Sequence, residues 1–177
     1  FLENTASHCG GLQVSVANVS LQDNVFSGNN GGGLCVAATT GTVHANRFEN
    51  NSTSGDGGGL SLSLTSGSLI SNTFVNNSAG HRGGGVSIRR GDDVELQGNL
   101  IYSNTAGLAG GGLATEAQRV RGSNDIVAAN TSPFEGVYVF GGGSLRAYHW
   151  TLVDNGGYAV TTDGGTATLI NTIVSTH

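Results

Sequence analysis

The sequence predicts an all-β solenoid, a parallel β-helix of about seven coils of 21–27 residues each. Three observations carry that prediction. A glycine stands before an apolar run at Gly11, Gly33, Gly59, Gly85, Gly112, Gly136 and Gly157, at intervals of 22, 26, 26, 27, 24 and 21 residues, and a near-fixed period of this size marks a repeat architecture. A second marker runs in phase with it at Asn24, Asn46, Asn72, Asn99, Asn124 and Asn171, with Trp150 taking the slot in one copy. The runs after glycine also alternate with period two: Leu60, Leu62 and Leu64 point one way, Ser61 and Ser63 the other, the pattern of a half-buried strand.

Each unit begins at the asparagine. Two residues on comes a large apolar side chain, giving the column Phe1, Phe26, Phe48, Phe74, Ile101, Ile126, Leu152 and Ile173. Three residues further stands another asparagine, at Asn4, Asn29, Asn51, Asn77, Asn104 and Asn155, while one copy has Ala129 followed by Asn130. A short polar link then leads to Gly-Gly and the strand. The first inward position of that strand reads Leu12, Leu34, Leu60, Val86, Leu113, Val137 and Tyr158, and the next Val14, Val36, Leu62, Ile88, Thr115, Val139 and Val160. Each column can stack on itself in successive coils. Gly33, Gly59, Gly85 and Gly112 suit close packing at strand entry, and the asparagines suit corners because they tolerate left-handed backbone and bond along the axis. A leucine-rich repeat would show Leu-x-x-Leu-x-Leu, and a propeller blade needs a period of about 40 residues. The glycine, serine and threonine content disfavours helices. Coils spaced about 4.8 Å apart would stack into a rod of roughly 30 to 35 Å.

Composition excludes several function classes. With 31 glycines, no lysine, 11% charged residues and a net charge of -5, the chain lacks the basic footprint of a nucleic-acid binder. No apolar run approaches the roughly 18 residues of a membrane span, so no insertion by this segment is expected. The repeat starts and stops in mid-period, which reads residues 1–177 as one β-helix segment of a longer chain or of a repeat-built assembly. Sequons at Asn18, Asn50, Asn51, Asn76 and Asn130 are read as chance in so Asn- and Ser-rich a chain.

The chemical candidates are few. The glycines of "NSAGHRGGGV" could cradle an anion ahead of a helix, but a strand follows and no nucleotide-binding loop pattern is present. What is particular to that copy is His81-Arg82. His8, His44, His81, His149 and His177 are scattered in repeat phase, so no metal set is expected, nor any cofactor. Cys9 precedes its glycine pair while Cys35 follows one in the next coil, an offset that makes a bridge between them geometrically poor. Arg89 and Glu116 fall in one outward column on neighbouring coils, where opposite charges pair across a ladder. Tyr138 and Phe140 face outward, and the next coil brings Tyr148, His149 and Trp150, then Tyr158, so a ring-rich patch is expected near the C-terminal end. Such rings stack on sugars or anchor protein contacts; packed under a loop near Pro133, they would instead cap a ragged coil.

The paired motifs resemble those of the chlamydial polymorphic outer membrane proteins, Phe-x-x-Asn and Gly-Gly-Ala-(Ile/Leu/Val). They stand here as Phe26 to Asn29 with Gly32-Gly33-Leu34, Phe48 to Asn51 with Gly58-Gly59-Leu60, and Phe74 to Asn77 with Gly84-Gly85-Val86. Glycine replaces the alanine in Gly31-Gly32-Gly33. The resemblance implies a right-handed parallel β-helix of a bacterial surface, extracellular or cell-attached. The expected function is a non-catalytic adhesin-like stalk, binding surface or assembly module. Its partners would be a polysaccharide, a host or neighbouring cell surface, or a second copy joined end to end. The alternative is a carbohydrate-active enzyme of the lyase or glycosidase type, with Arg89, Glu116 and the aromatic patch as its groove.

Overall fold

The computed structural model describes residues 1–175, an all-β parallel solenoid of about six turns. Glycine-led strands build the largest sheet, which is 11-stranded, and the Phe-x-x-Asn segments build a 7-stranded one. Ser52–Thr53, Ser78–Ala79 and Thr105–Ala106 form a third, short sheet. Pairing between the named strands is parallel and joins neighbouring coils, as in Leu34↔Leu60 and Phe48↔Phe74. The repeat count of about seven exceeds the turns by one because the 7-stranded sheet opens and closes on partial coils.

Leu12–Gln22, Leu34–His44 and Leu60–Ile70 run unbroken for 11 residues each. In the fourth coil the strand splits into Val86–Ile88 and Asp93–Gln97. Leu62 pairs with Ile88 and Gly67 with Val94, so the fourth coil carries one residue more over the same span. Arg90 absorbs the surplus at φ 54, as an inserted residue in a strand must bend the chain locally.

Corners explain the sequence's asparagine rhythm. At one corner Asp23, Ala45, Ser71, Gly98, Asn124, His149 and Asn171 all adopt left-handed backbone. Left-handed φ is costly for most L-residues, so the neighbours must hold it in place. After the first five of them the next residue does so, through a ladder that ends at Asp125. Asn24, Asn46 and Asn72 donate through both backbone N and Nδ2 to the Oδ1 of Asn46, Asn72 and Asn99 at 2.9 to 3.2 Å. A second ladder runs through Asn29, Asn51, Asn77, Asn104, Asn130 and Asn155, each buried. It follows its own left-handed column, Gly28, Asn50, Asn76, Ser103, Ala129 and Asp154.

Three columns shift against expectation. Ile101 pairs with Val127, and Leu152 with Val174; Ile126 and Ile173 therefore face out, 41% and 63% exposed. Asn124 and Asn171 correspondingly occupy the left-handed corner and not the ladder, whose fifth place goes to Asp125. In the last coil Val137 pairs with Val160, displacing Tyr158. The cause is a missing link: Gly156-Gly157 follows Asn155 directly, so this glycine pair lies in the corner.

The core is one thin column. Phe1, Phe26, Phe48 and Phe74 stack with ring centroids 4.7 to 4.9 Å apart, and Ile101, Val127 and Leu152 continue the line. No helix of the described residues is long and apolar enough to cross a membrane.

Candidate functional site

Where side chains depart from the repeat, they gather near the fifth to seventh glycine-led strands. Tyr138 and Phe140 alternate with inward Val137 and Val139 on Glu135–Phe140, and their half-buried rings stack 5.1 Å apart. Arg82 reaches up from the fourth coil and lays its guanidinium 4.9 Å from the centre of the Phe140 ring, a favourable cation–π distance. Tyr138 donates its hydroxyl to Asp163 Oδ2 at 3.1 Å. Burial pushes the Tyr138 hydroxyl pKa up, and Asp163 reinforces it.

The floor of this region is Glu135, which sequence reading missed. In earlier coils the pair before the strand is Gly10-Gly11, Gly32-Gly33, Gly58-Gly59, Gly84-Gly85 and Gly111-Gly112; here it is Glu135-Gly136. A Cβ at Gly84 would stand 2.4 Å from two backbone oxygens, those of Gly111 and Thr105. The coil following Glu135 reaches its strand from Asn155 without the usual link, which opens the space a side chain needs. Glu135 is 1% exposed, and its Oε1 accepts the Gly110 N–H at 2.8 Å. Burial raises its carboxyl pKa, with the Gly110 N–H and the Thr161 hydroxyl acting against it. The signal in the sequence was the break in the glycine column itself.

Together Arg82, Leu108, Phe134, Glu135, Tyr138, Tyr158, Thr161 and Asp163 line a cavity of about 420 Å³. Its rim is unusually apolar: Tyr158 is 71% exposed, Phe134 60% and Leu108 48%. Of the expected aromatic patch, Tyr138, Phe140 and Tyr158 belong to this region. Tyr148 lies in the other half of the large sheet, paired with Ser123 and Ile170. Trp150 is wholly buried; its ring covers Gly122, where a Cβ would sit 2.2 Å from Trp150 Cζ2. It fills the core where other coils carry asparagine.

Arg89 and Glu116 also stand outside that cavity. Arg89 Nε lies 3.4 Å from Glu116 Oε1 and its Nη1 3.2 Å from Asp56 Oδ2. Half-exposed ion pairs of this kind contribute little to stability. His8, His81 and Asp56 share another groove, of about 450 Å³, with Arg89; His177 lies outside the described residues. Among the described residues no three His, Cys, Asp or Glu side chains are grouped to hold a metal.

At the edge of that groove Cys9 and Cys35 are joined in a disulfide, with Cα atoms 5.5 Å apart. The expectation of poor geometry fails because Cys9 takes left-handed backbone at φ 55 and donates its N–H to Gly31 O. That turn brings its side chain over the adjoining coil.

A family model described as "right handed beta helix region" matches residues 18–174. The chain belongs to that family. The right-handed β-helix architecture accounts for the stacked glycine, asparagine and phenylalanine columns, and leaves the cavity over Glu135 as the feature those columns do not explain. No curated protein and no solved structure matches the chain.

Proposed function

We propose that this right-handed β-helix is a non-catalytic, exported binding module, adhesin-like in role, that holds a polysaccharide chain at the cavity over Glu135. The observation that carries the reading is the convergence of exposed Phe134 and Tyr158 rings with the Arg82, Thr161, Glu135 and Asp163 polar groups around one pocket. Aromatic faces pack on the C–H faces of sugar rings, and mixed donors and acceptors fix the hydroxyls. Glu135 and Asp163 are each engaged by the chain's own donors, Gly110 N–H and Tyr138 hydroxyl, which favours holding over turnover. The disulfide supports an oxidising compartment outside the cytosol. The Phe-x-x-Asn and Gly-Gly pairs support kinship with the polymorphic outer membrane proteins.

The test is calorimetric titration with a panel of oligosaccharides. Binding by the wild type that weakens by roughly tenfold in Tyr158→Ala, in line with the loss of one stacked ring, supports the reading; binding indifferent to both Tyr158→Ala and Phe134→Ala overturns it. One observation favours a carbohydrate-active enzyme instead, namely two carboxyl groups in a single aromatic pocket. New reducing ends or unsaturated products that vanish in Glu135→Gln would establish that second reading.

A further inference from the structure

We infer that the second half of the large sheet carries a separate binding surface, which holds an acidic polysaccharide through Arg121 and Arg146. On the outer face of that half, Ser68, Glu95, Arg121, Arg146 and Thr168 follow one another in register across successive coils. Neighbouring strands lie about 4.8 Å apart, so two guanidinium side chains are set side by side. The nearest acid of the column, Glu95, adjoins Arg121 and is two strands away from Arg146. Both arginines alternate with buried residues and are exposed. Like charges placed opposite each other across a ladder destabilise it, so the fold itself gains nothing from this pair.

The bonded acid of this face is Asp93, and two arginines share it. Arg121 Nη2 donates to Asp93 Oδ2 at 2.9 Å, and Arg119 Nη1 lies 3.6 Å from the same oxygen. Among the described residues Arg146 makes no ion pair. Three of the chain's seven arginines thus gather on one face of a molecule whose net charge is -5, so attraction of an anion is local to that face. Guanidinium forks grip carboxylate and sulfate oxygens through paired N–H bonds. Ser123 and Tyr148 are neighbours in register on the same side, and Thr168 continues the arginine column. Hydroxyls and an aromatic ring beside paired cations suit a sugar polymer that bears anionic groups.

Dextran sulfate, polygalacturonate and neutral dextran are titrated into the protein by calorimetry, with thermal unfolding followed on each variant. Arg146→Gln removes no ion pair of the fold and should melt at or above the wild type. At least one acidic polymer is expected to bind, and to weaken roughly tenfold in Arg146→Gln as one charge-assisted contact is lost. Its binding should also weaken as salt rises from about 0.05 M to about 0.5 M. The more tightly held of the two acidic polymers tells carboxylate from sulfate ester. Arg47→Gln removes the same charge from an ion pair with Glu49 on the 7-stranded sheet; it and Tyr158→Ala should both leave this binding unchanged. Neither acidic polymer bound, or equal losses in Arg146→Gln and Arg47→Gln, overturns the inference, as does capture of phosphatidylserine vesicles in place of both polymers. Loss in Tyr158→Ala would move the acidic polymer to the cavity over Glu135, overturning the second surface and leaving the polysaccharide reading standing.

Discussion

Asp125 shows how much a single atom decides in a ladder. Its Oδ1 accepts the Asn99 backbone N–H and Nδ2, each at 2.8 Å, as an asparagine oxygen would. Its Oδ2 and the Trp150 Nε1 make no hydrogen bond of ordinary geometry. Burial pushes the Asp125 carboxyl up to about 6, with the Asn99 donors and the Trp150 indole holding it back from rising further. An asparagine here would aim a second donor at the indole N–H, which accounts for the acid. A carboxyl whose folded pKa exceeds its unfolded value of 3.8 stabilises the fold below that value and loses the contribution as pH rises through about 6. The total is about 3 kcal/mol at 1.36 kcal/mol per unit. Chemical denaturation of wild type and Asp125→Asn should therefore show a stability difference that moves by about this amount between pH 3 and pH 8, with the wild type favoured at low pH. A difference constant with pH would mean that the carboxyl titrates alike in both states.

At the scale of the element, strand Val120–Ser123 and the corner after it are fitted to one ring. Gly122 is buried beneath Trp150, and no Cβ can be placed there without entering the indole. Because the ring is walled in by neighbouring coils, Gly122→Ala should cost about 3 kcal/mol of stability by overpacking. Trp150→Leu in the same chain should recover part of that loss, and the non-additivity in a double-mutant cycle measures the contact. Equal losses in the presence and absence of Trp150 would assign the effect to strand backbone alone.

The elements also show what the sequence made legible. Glycine and asparagine spacing located every long strand of the first three coils, because there the markers and the stacked residues coincide. The sixth and seventh coils misled by one or two positions, since Asn124 and Asn171 satisfy a corner as readily as a ladder, and Gly156-Gly157 copies the strand-entry signal inside a corner. Trp150 was misplaced for a related reason: period-two logic reads a ring beside Tyr148 as exposed, whereas the corner turns it inward onto Gly122. Glu135 was legible only as an absence of glycine. The Cys9–Cys35 bridge could not be read from offsets, because the left-handed backbone at Cys9 turns its sulfur toward the adjoining coil.

For the whole molecule, every strand lies across the long axis, and cohesion along that axis rests on parallel ladders, stacked rings and amide chains between coils. Such a rod yields to tension by peeling, one coil after another, from whichever end is pulled. The Cys9–Cys35 bond changes that at the N-terminal end, since it closes a loop with a sequence separation of 26 residues. Force applied through residue 1 passes the bridge and reaches the second coil without unrolling the first. In single-molecule stretching, reduction should lengthen the fully extended chain by roughly 90 Å, about 26 residues at 3.3–3.6 Å each. Unchanged contour length on reduction would mean that the sulfurs are not joined in the stretched protein. A rod fastened this way has a covalent link where the amide ladder begins, so a pull on residue 1 reaches the second coil through a bond and not through the contacts of the first.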